Sequence, residues 1–428
     1  MIGPPTPTVL LVGTSGYGER HLDNLLDWHE RGLIKLASLV DVRFSDGTRR
    51  RVAESGADPR WASTIDEAFS GGLPDVAVVA TPPQTHFEMA KTVLGQDVRL
   101  YLEKPPVPLL QQLDALAALQ RTRSVEIGFQ DTRLCVETFE AVLTSEAIGD
   151  VQRITAHGAL QRPDAYYERN TWAGRWFAAG QPVLDGPLFN PLAHILHTAL
   201  TCATRVDSRW SPKMVEAEFY SVRDITGDDV AALRVTSERG PRVVAVGTTA
   251  ADAVREPSIT VHGTRGTATI RHPDAHCVID VDGVITLFPT VETRPPALFT
   301  AVTKPSTEAD ELLDVAAVRP FVTVVNASVQ AAGEPTRIVD LQQQERRGGE
   351  TFRSLSGVTS RIEAVVASGR LFSELDIDWG RPGGMLDLTG YTGLSHPELR
   401  TELFTGLLGI PDTFSPDDSR GRSQAGAS

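Results

Sequence analysis

The feature that most constrains this chain is a change of period repeated through its first ~130 residues. Val9-Leu10-Leu11-Val12 is a continuous apolar run that stops at Gly13. A strand with no polar face is buried on both sides, as in a parallel sheet. Leu22, Leu25 and Leu26 then recur at helical spacing until Gly32 closes the segment. The pattern repeats: strands read at 36–40, 76–80, 98–102 and 125–128, with helices near 45–55, 85–95 and 107–121. Such alternation predicts right-handed βαβ units and an α/β Rossmann domain with a doubly wound parallel sheet.

After residue 130 the style changes. A helix is expected over 136–145, a strand over 151–160 and an apolar helix over 190–203. Between the last two, residues 161–190 are rich in aromatics, Gly and Pro and read as a long loop. Alternating segments at 214–220, 230–236, 242–248, 258–262, 267–271 and 277–281 predict a large, mostly antiparallel open sheet. Residues 308–330 and 350–375 read as helices. The expected division is a nucleotide-binding domain over 1–129, an α+β substrate-binding and oligomerisation domain over 130–385, and a C-terminal extension over 386–428. From about 413 the extension lacks large apolar residues and is expected to be disordered.

Composition narrows the function. The formal net charge of −14 disfavours nucleic acid as a partner, and no local basic patch offsets it. No apolar run reaches the ~18 residues of a membrane span. The N-terminus lacks a basic segment before its short apolar run, so no signal peptide is expected and the location reads as cytoplasmic. Cys135, Cys202 and Cys277 form no C-x-x-C, and His272 and His276 fall in a proline-containing turn, so no metal site is expected.

Gly13-Thr14-Ser15-Gly16-Tyr17-Gly18 follows the first strand and opens a helix, where a dinucleotide fingerprint belongs. Gly13 suits the tight turn and Gly18 suits close helix–strand packing, while Ser15 replaces the middle glycine. Ser15, Gly16 and Tyr17 would then face the pyrophosphate at the helix N-terminus. Asp41 ends the second strand, where a carboxylate accepts from the adenosine ribose and repels a 2′-phosphate. This favours NAD over NADP, with Arg43 keeping NADP as the minor alternative.

Ala80-Thr81-Pro82-Pro83-Gln84-Thr85-His86, then Tyr101-Leu102-Glu103-Lys104-Pro105, resemble the Gfo/Idh/MocA oxidoreductases, the family of glucose–fructose oxidoreductase and inositol dehydrogenase. The signature joins a Rossmann domain, T-P-x-x-H after one strand and E-K-P after the next; His21 also matches. The resemblance covers roughly residues 8–380. It implies that Lys104, one of only five lysines, sits at the cleft near the nicotinamide and the reacting hydroxyl. It implies that Thr81, Pro82, His86 and Glu103 border the cofactor, and that a cis peptide can precede Pro105. It also implies a homodimer or homotetramer paired through the open face of the second-domain sheet.

The family's second signature is an Asp and a His four residues apart at a helix start. Here His194 stands for the histidine, Asn190 for the aspartate, and His197 for a later aspartate. Asparagine orients a hydroxyl but takes no proton, so His194 is the better base, with Asp185 a second source of a carboxylate. His197 is expected inside the helix or at the substrate rim. The preceding loop offers Tyr166, Tyr167, Trp172 and Arg175, a mixture of rings and cations that suits a polyhydroxylated ligand or equally a protein contact. The expected activity is NAD-dependent dehydrogenation of a secondary alcohol of a sugar, inositol or related polyol. The rivals are a redox-neutral NAD enzyme catalysing epimerisation or elimination, and a non-catalytic cofactor-sensing regulator.

Overall fold

The computed structural model describes residues 5–120, 125–130, 132–289, 291, 295–304, 313–397 and 399. In chain order the first half comprises β1 (Thr8–Val12), α1 (Tyr17–Glu30), β2 (Lys35–Val40), α2 (Asp46–Glu54), β3 (Arg60–Ala62), α3 (Ile65–Phe69), β4 (Val76–Val79), α4 (His86–Gly95), β5 (Arg99–Glu103), α5 (Leu110–Leu119), β6 (Val125–Gly128) and α6 (Thr132–Thr144). There follow β7 (Val151–Gln161), α7 (Asp164–Glu168), β8 (Phe177–Ala178), β9 (Gln181–Pro182), α8 (Ala193–Val206), β10 (Met214–Ser221), β11 (Val230–Thr236), β12 (Arg242–Thr248), β13 (Ala250–Gly263), β14 (Thr267–Arg271), β15 (Cys277–Val281) and β16 (Val284–Phe288). The chain continues through α9 (Ala297–Thr303), α10 (Arg319–Ala332), β17 (Thr336–Arg337), β18 (Gln342–Arg347), β19 (Glu350–Leu355), α11 (Val358–Ser368) and β20 (Gly384–Asp387).

The first sheet is parallel, in the order β3-β2-β1-β4-β5-β6. Val9 to Val12 are all buried, as are Val76 to Val79, because the apolar runs are covered on both faces. Leu22, Leu25 and Leu26 of α1 pack on Val9 and Leu11. Late in the chain α9 returns to this layer: Leu298 and Val302 join the same cluster, and Phe299 meets Trp28 edge-on.

The second sheet has ten strands, in the order β16-β15-β14-β13-β7-β12-β11-β10-β17, with β20 also on β10. It is mostly antiparallel; β7 pairs with β12, and β10 with β17, in parallel. One face packs on α6, α8 and α10. Over β7, β12 and β13 the other face carries α11, whose Val358, Ile362 and Val365 cover Ala159, Val244 and Val246. Arg153 of β7 donates to the carbonyls of Val366, Ala367 and Ser368, capping that helix. That part of the face is filled by the chain itself and is not available to a second copy.

Three expectations are corrected. The helix read over 308–330 begins at Arg319, and residues 315–318 form a turn before it. Residues 350–355, read as the start of a helix, form β19 and pair with β18 across Gly348-Gly349. Both glycines have positive φ (58° and 87°), the demand of a type I′ hairpin. The helix expected from 190 begins at Ala193, and Asn190 lies in the turn before it. The expected tail disorder from about 413 falls outside the described residues.

Candidate active site

The turn after β1 is built as a dinucleotide cradle requires. Gly13 has φ +89°, and a β-carbon there would stand 2.6 Å from the Ala80 carbonyl oxygen. Gly18 packs closer still: its β-carbon would lie 2.2 Å from the Gly13 carbonyl oxygen. Both positions therefore need glycine. Ser15 carries no such demand, since its φ is not positive and its side chain is exposed. Ser15, Gly16 and Tyr17 stay exposed at the N-terminus of a fourteen-residue helix, where anions are favoured. Asp41 braces the turn by accepting from the Thr14 amide and hydroxyl, both at 2.8 Å. The turn fits a dinucleotide.

The loops after β4 and β5 are stitched together beneath this turn. His86 is fully buried, with Nδ1 2.9 Å from the Pro105 carbonyl and Nε2 2.7 Å from that of Thr81. Burial holds its imidazole below the usual range. Glu103, also buried, accepts from Gln130 Nε2 at 3.0 Å and from the Lys104 amide at 3.0 Å. Its Oε1 lies 2.7 Å from His21 Nε2. Gly128 leaves room for that carboxylate; a β-carbon there would stand 2.9 Å from Glu103 Oε1. His86 and Glu103 thus fix the cis Lys104–Pro105 segment from behind, whereas Thr81 is half-buried and Pro82 exposed.

The segment aims Lys104 across the cleft. Its Nζ donates to Asn190 Oδ1 and to the Asn190 carbonyl, each at 3.0 Å. Asn190 Nδ2 donates to Asp185 Oδ1 at 2.9 Å, and the other Asp185 oxygen accepts from the Gly174 amide at 2.7 Å. The amide is a two-ended relay between an ammonium and a carboxylate, and this network sets its orientation. Burial lowers the Lys104 ammonium, and the carboxylates of Glu103 and Asp185 push it back up. Burial raises the Asp185 carboxyl, against the Gly174 and Asn190 hydrogen bonds. Behind Asp185, buried Asp228 accepts from Trp176 Nε1 at 3.0 Å, and burial holds its carboxyl well above the usual carboxylate range. Gly186 makes space for it, since a β-carbon there would reach 2.5 Å from Asp228 Oδ1.

His194 sits in the first turn of α8, edge-on to Phe129. Burial, then the Lys104 charge, holds its imidazole well below the ordinary range, so it is neutral near pH 7. The His272 ring stands 5.1 Å from it, centroid to centroid. His197, one turn later, is 1% exposed and stacks on Phe129 at 4.2 Å. The structure therefore brings Lys104, Asn190, Asp185 and His194 together and leaves His197 in the core.

Of the loop residues, Tyr166 is half-buried and close enough for the Asp185 charge to act on its hydroxyl. The Trp172 amide donates to Asn170 Oδ1 at 3.1 Å. Tyr167 turns away, its hydroxyl 2.6 Å from Thr249 Oγ1 and its ring under Arg223. Exposed Arg175 lines a separate groove with Asp164, Arg337 and Arg353. Sequence reasoning missed Arg162 and Gln130, which carry no motif, and set His272 aside because its spacing matched no metal pattern. Among the described residues no group of three metal-ligating side chains occurs, and no helix is long and apolar enough to cross a membrane.

Comparison with known proteins agrees with this geometry. Residues 8–129 match an oxidoreductase family with an NAD-binding Rossmann fold, and residues 136–269 match the Gfo/Idh/MocA C-terminal domain. The uncharacterised oxidoreductase YhhX of Escherichia coli is 29% identical over 108 residues, 24% of this chain and 31% of YhhX; the chain thus matches about a third of that relative. The WlbA dehydrogenase of Bordetella pertussis, solved with NADH and UDP-GlcNAcA, superposes with a TM-score of 0.58 at 18% identity. The alignment covers 76% of this chain and 95% of WlbA. The UDP-N-acetylglucosamine 3-dehydrogenase GnnA of Acidithiobacillus ferrooxidans gives 0.58 at 14% identity, over 75% of this chain and 96% of GnnA. These likenesses establish a shared fold.

Proposed function

Because the chain belongs to the Gfo/Idh/MocA family of NAD-binding oxidoreductases, we propose that it is an NAD-dependent dehydrogenase acting on a secondary alcohol of a sugar or related polyol. The observation that carries this reading is the meeting of Lys104, Asn190, Asp185 and His194 in one cleft beside the dinucleotide turn. Residues 13–18 and Asp41 would hold the cofactor, and the Asp41 carboxylate favours NAD over NADP by repelling a 2′-phosphate. NAD, when bound, supplies the hydride acceptor. Lys104 donates to the substrate oxygen and stabilises the negative charge that develops there. His194, neutral at working pH, takes the hydroxyl proton. Asn190 and Asp185 keep the Lys104 ammonium charged and aimed, despite its burial. That WlbA is a dehydrogenase solved with UDP-GlcNAcA, and GnnA a UDP-N-acetylglucosamine 3-dehydrogenase, lends support to the sugar class.

The test is a panel of sugars, inositols and sugar acids with NAD and with NADP, read as absorbance of the reduced cofactor. Turnover with a preference for NAD, lost in His194→Ala, is the expected result. Nucleotide binding without turnover of any polyol would overturn the reading.

A further inference from the structure

The Tyr166 ring carries two arginines. The guanidinium carbon of Arg169 stands 3.4 Å from the ring centroid and that of Arg162 stands 5.4 Å from it. Arg169 is also 5.7 Å from the Trp172 ring centroid. Among the described residues neither guanidinium pairs with a carboxylate, and Arg162 Nε is buried without a hydrogen-bond partner. Arg153 and Arg223 also leave a buried Nε without a hydrogen bond, but their guanidinium ends are compensated. Arg223 meets Asp229 and Asp164, Arg234 meets Glu216 and Glu374, and Arg153 meets the carbonyls of α11. A chain of net charge −14 has carboxylates to spare, so half-buried Arg162, beside exposed Arg169 on one ring and with no carboxylate on either, needs an explanation.

Their position supplies one. Asn170 Oδ1 accepts from the Trp172 and Ala173 amides, and the next amide, Gly174, holds Asp185. Arg169 is thus tied by a short, pinned segment to the Asp185–Asn190–Lys104 relay. The Arg169 charge acts on both the Asp185 carboxyl and the Lys104 ammonium. Lys104 and Arg169 therefore act together on Asp185, and the Tyr166 ring holds Arg169 and Arg162 side by side next to it. Planar guanidinium forks match oxyanions, and a neutral polyol gives them nothing to neutralise.

We infer that the substrate of this cleft carries an anionic oxygen group, a carboxylate or a phosphate, beside its hydroxyls, and that Arg162 and Arg169 bind it. The inference rests on the dehydrogenase reading of the same site. The full chain is titrated calorimetrically, with and without saturating NADH, with D-glucose, D-glucuronate and glucose 1-phosphate. At least one anionic probe is expected to bind about ten-fold more tightly than glucose, as charge-assisted hydrogen bonds allow. The two anionic arms distinguish carboxylate from phosphate. In R162Q/R169Q the advantage is expected to vanish to within about two-fold, with NADH affinity unchanged. Arg169 is exposed, so R169Q alone tests the idea without risk to the fold, and should lose about half of the advantage on a logarithmic scale. Equal binding of glucose and both anions, no binding of either anion, or an advantage undiminished in R169Q would overturn the inference. A wild type that binds an anion but not NADH would instead break the dehydrogenase reading.

Discussion

The two walls of the cleft are built in opposite ways. On one wall, Gly13, Thr81 and Lys104 follow the C-terminal ends of β1, β4 and β5, neighbours in one parallel sheet. Main-chain hydrogen bonds and buried apolar runs place them. On the other wall, Asp185 and Asn190 come from the long segment between β7 and α8, which contains only one short helix and two two-residue strands. Side chains place them: Asp185 is held by the Gly174 amide, Trp176 by Asp228, and Asn190 by Asp185 and Lys104. The first wall is precise because the sheet is rigid. The second is precise only while its polar contacts are complete, because a half-satisfied buried network is costly.

The largest break in this comparison is expected from Lys104→Ala, which removes the side chain that reaches from the first wall to Asn190 on the second. Loss of a charged donor at a developing oxyanion typically costs ~10²–10³ in kcat. Steady-state NADH formation should fall by that factor, while NADH affinity stays within a few-fold of wild type. A loss smaller than about three-fold would remove Lys104 from the reaction. Next comes Gly18→Ala on the backbone-built wall. Its methyl would collide with the Gly13 carbonyl oxygen, a backbone atom that cannot swing aside. Overpacking of this kind costs roughly 1–3 kcal/mol, so thermal stability and NADH affinity should drop together. Unchanged NADH affinity would mean that the turn is not the cradle described.

The contrast between the walls also accounts for what the sequence could tell. The strands of the first sheet were legible because continuous apolar runs ending in Gly, Asp or Thr-Pro are local signals. Gly13, Gly18 and Lys104 stand in contiguous motifs, and the structure places them in the turn after β1, at the start of α1 and directly after β5. On the other wall the signature around His194 pointed to Asn190 and Asp185, but what orients them, the bonds to Lys104 86 positions away and to the Gly174 amide, has no local pattern. Asn190 looked like a weakened aspartate on a helix face; it is a turn residue whose carboxylate lies five positions upstream, at Asp185. Arg162 was invisible because its importance lies in what it does not pair with. The β18–β19 hairpin could have been read, since Gly348-Gly349 between two polar segments is a type I′ signal.

A smaller effect lies at the seam where the two halves of the chain meet. Glu126 of β6 is 3% exposed and accepts from the Leu313 amide, and the Leu313 carbonyl accepts from the Ile127 amide. Burial pushes the Glu126 carboxyl up to about 7. A raised folded pKa stabilises below the unfolded value, and that stability is lost as pH rises from about 4.5 through 7. Glu126→Gln keeps an acceptor for Leu313 and removes the charge. It should raise Tm at pH 8, by a gain of at most about 3 kcal/mol, and have little effect at pH 4.5. Equal effects at both pH values would show that Glu126 ionises freely in the folded chain.

The central claim is that Asn190 works as an amide relay between Lys104 and Asp185 and is not a lost catalytic acid. The most direct test compares kcat/KM of Asn190→Asp with that of Asp185→Asn/Asn190→Asp, using the best substrate of the panel. Asn190→Asp sets two carboxylates against each other at about the distance of the present hydrogen bond, and activity should fall about ten-fold or more. The exchanged pair restores one amide and one carboxylate and should recover much of that loss. A gain of activity in Asn190→Asp alone, with no recovery on exchange, would contradict the account.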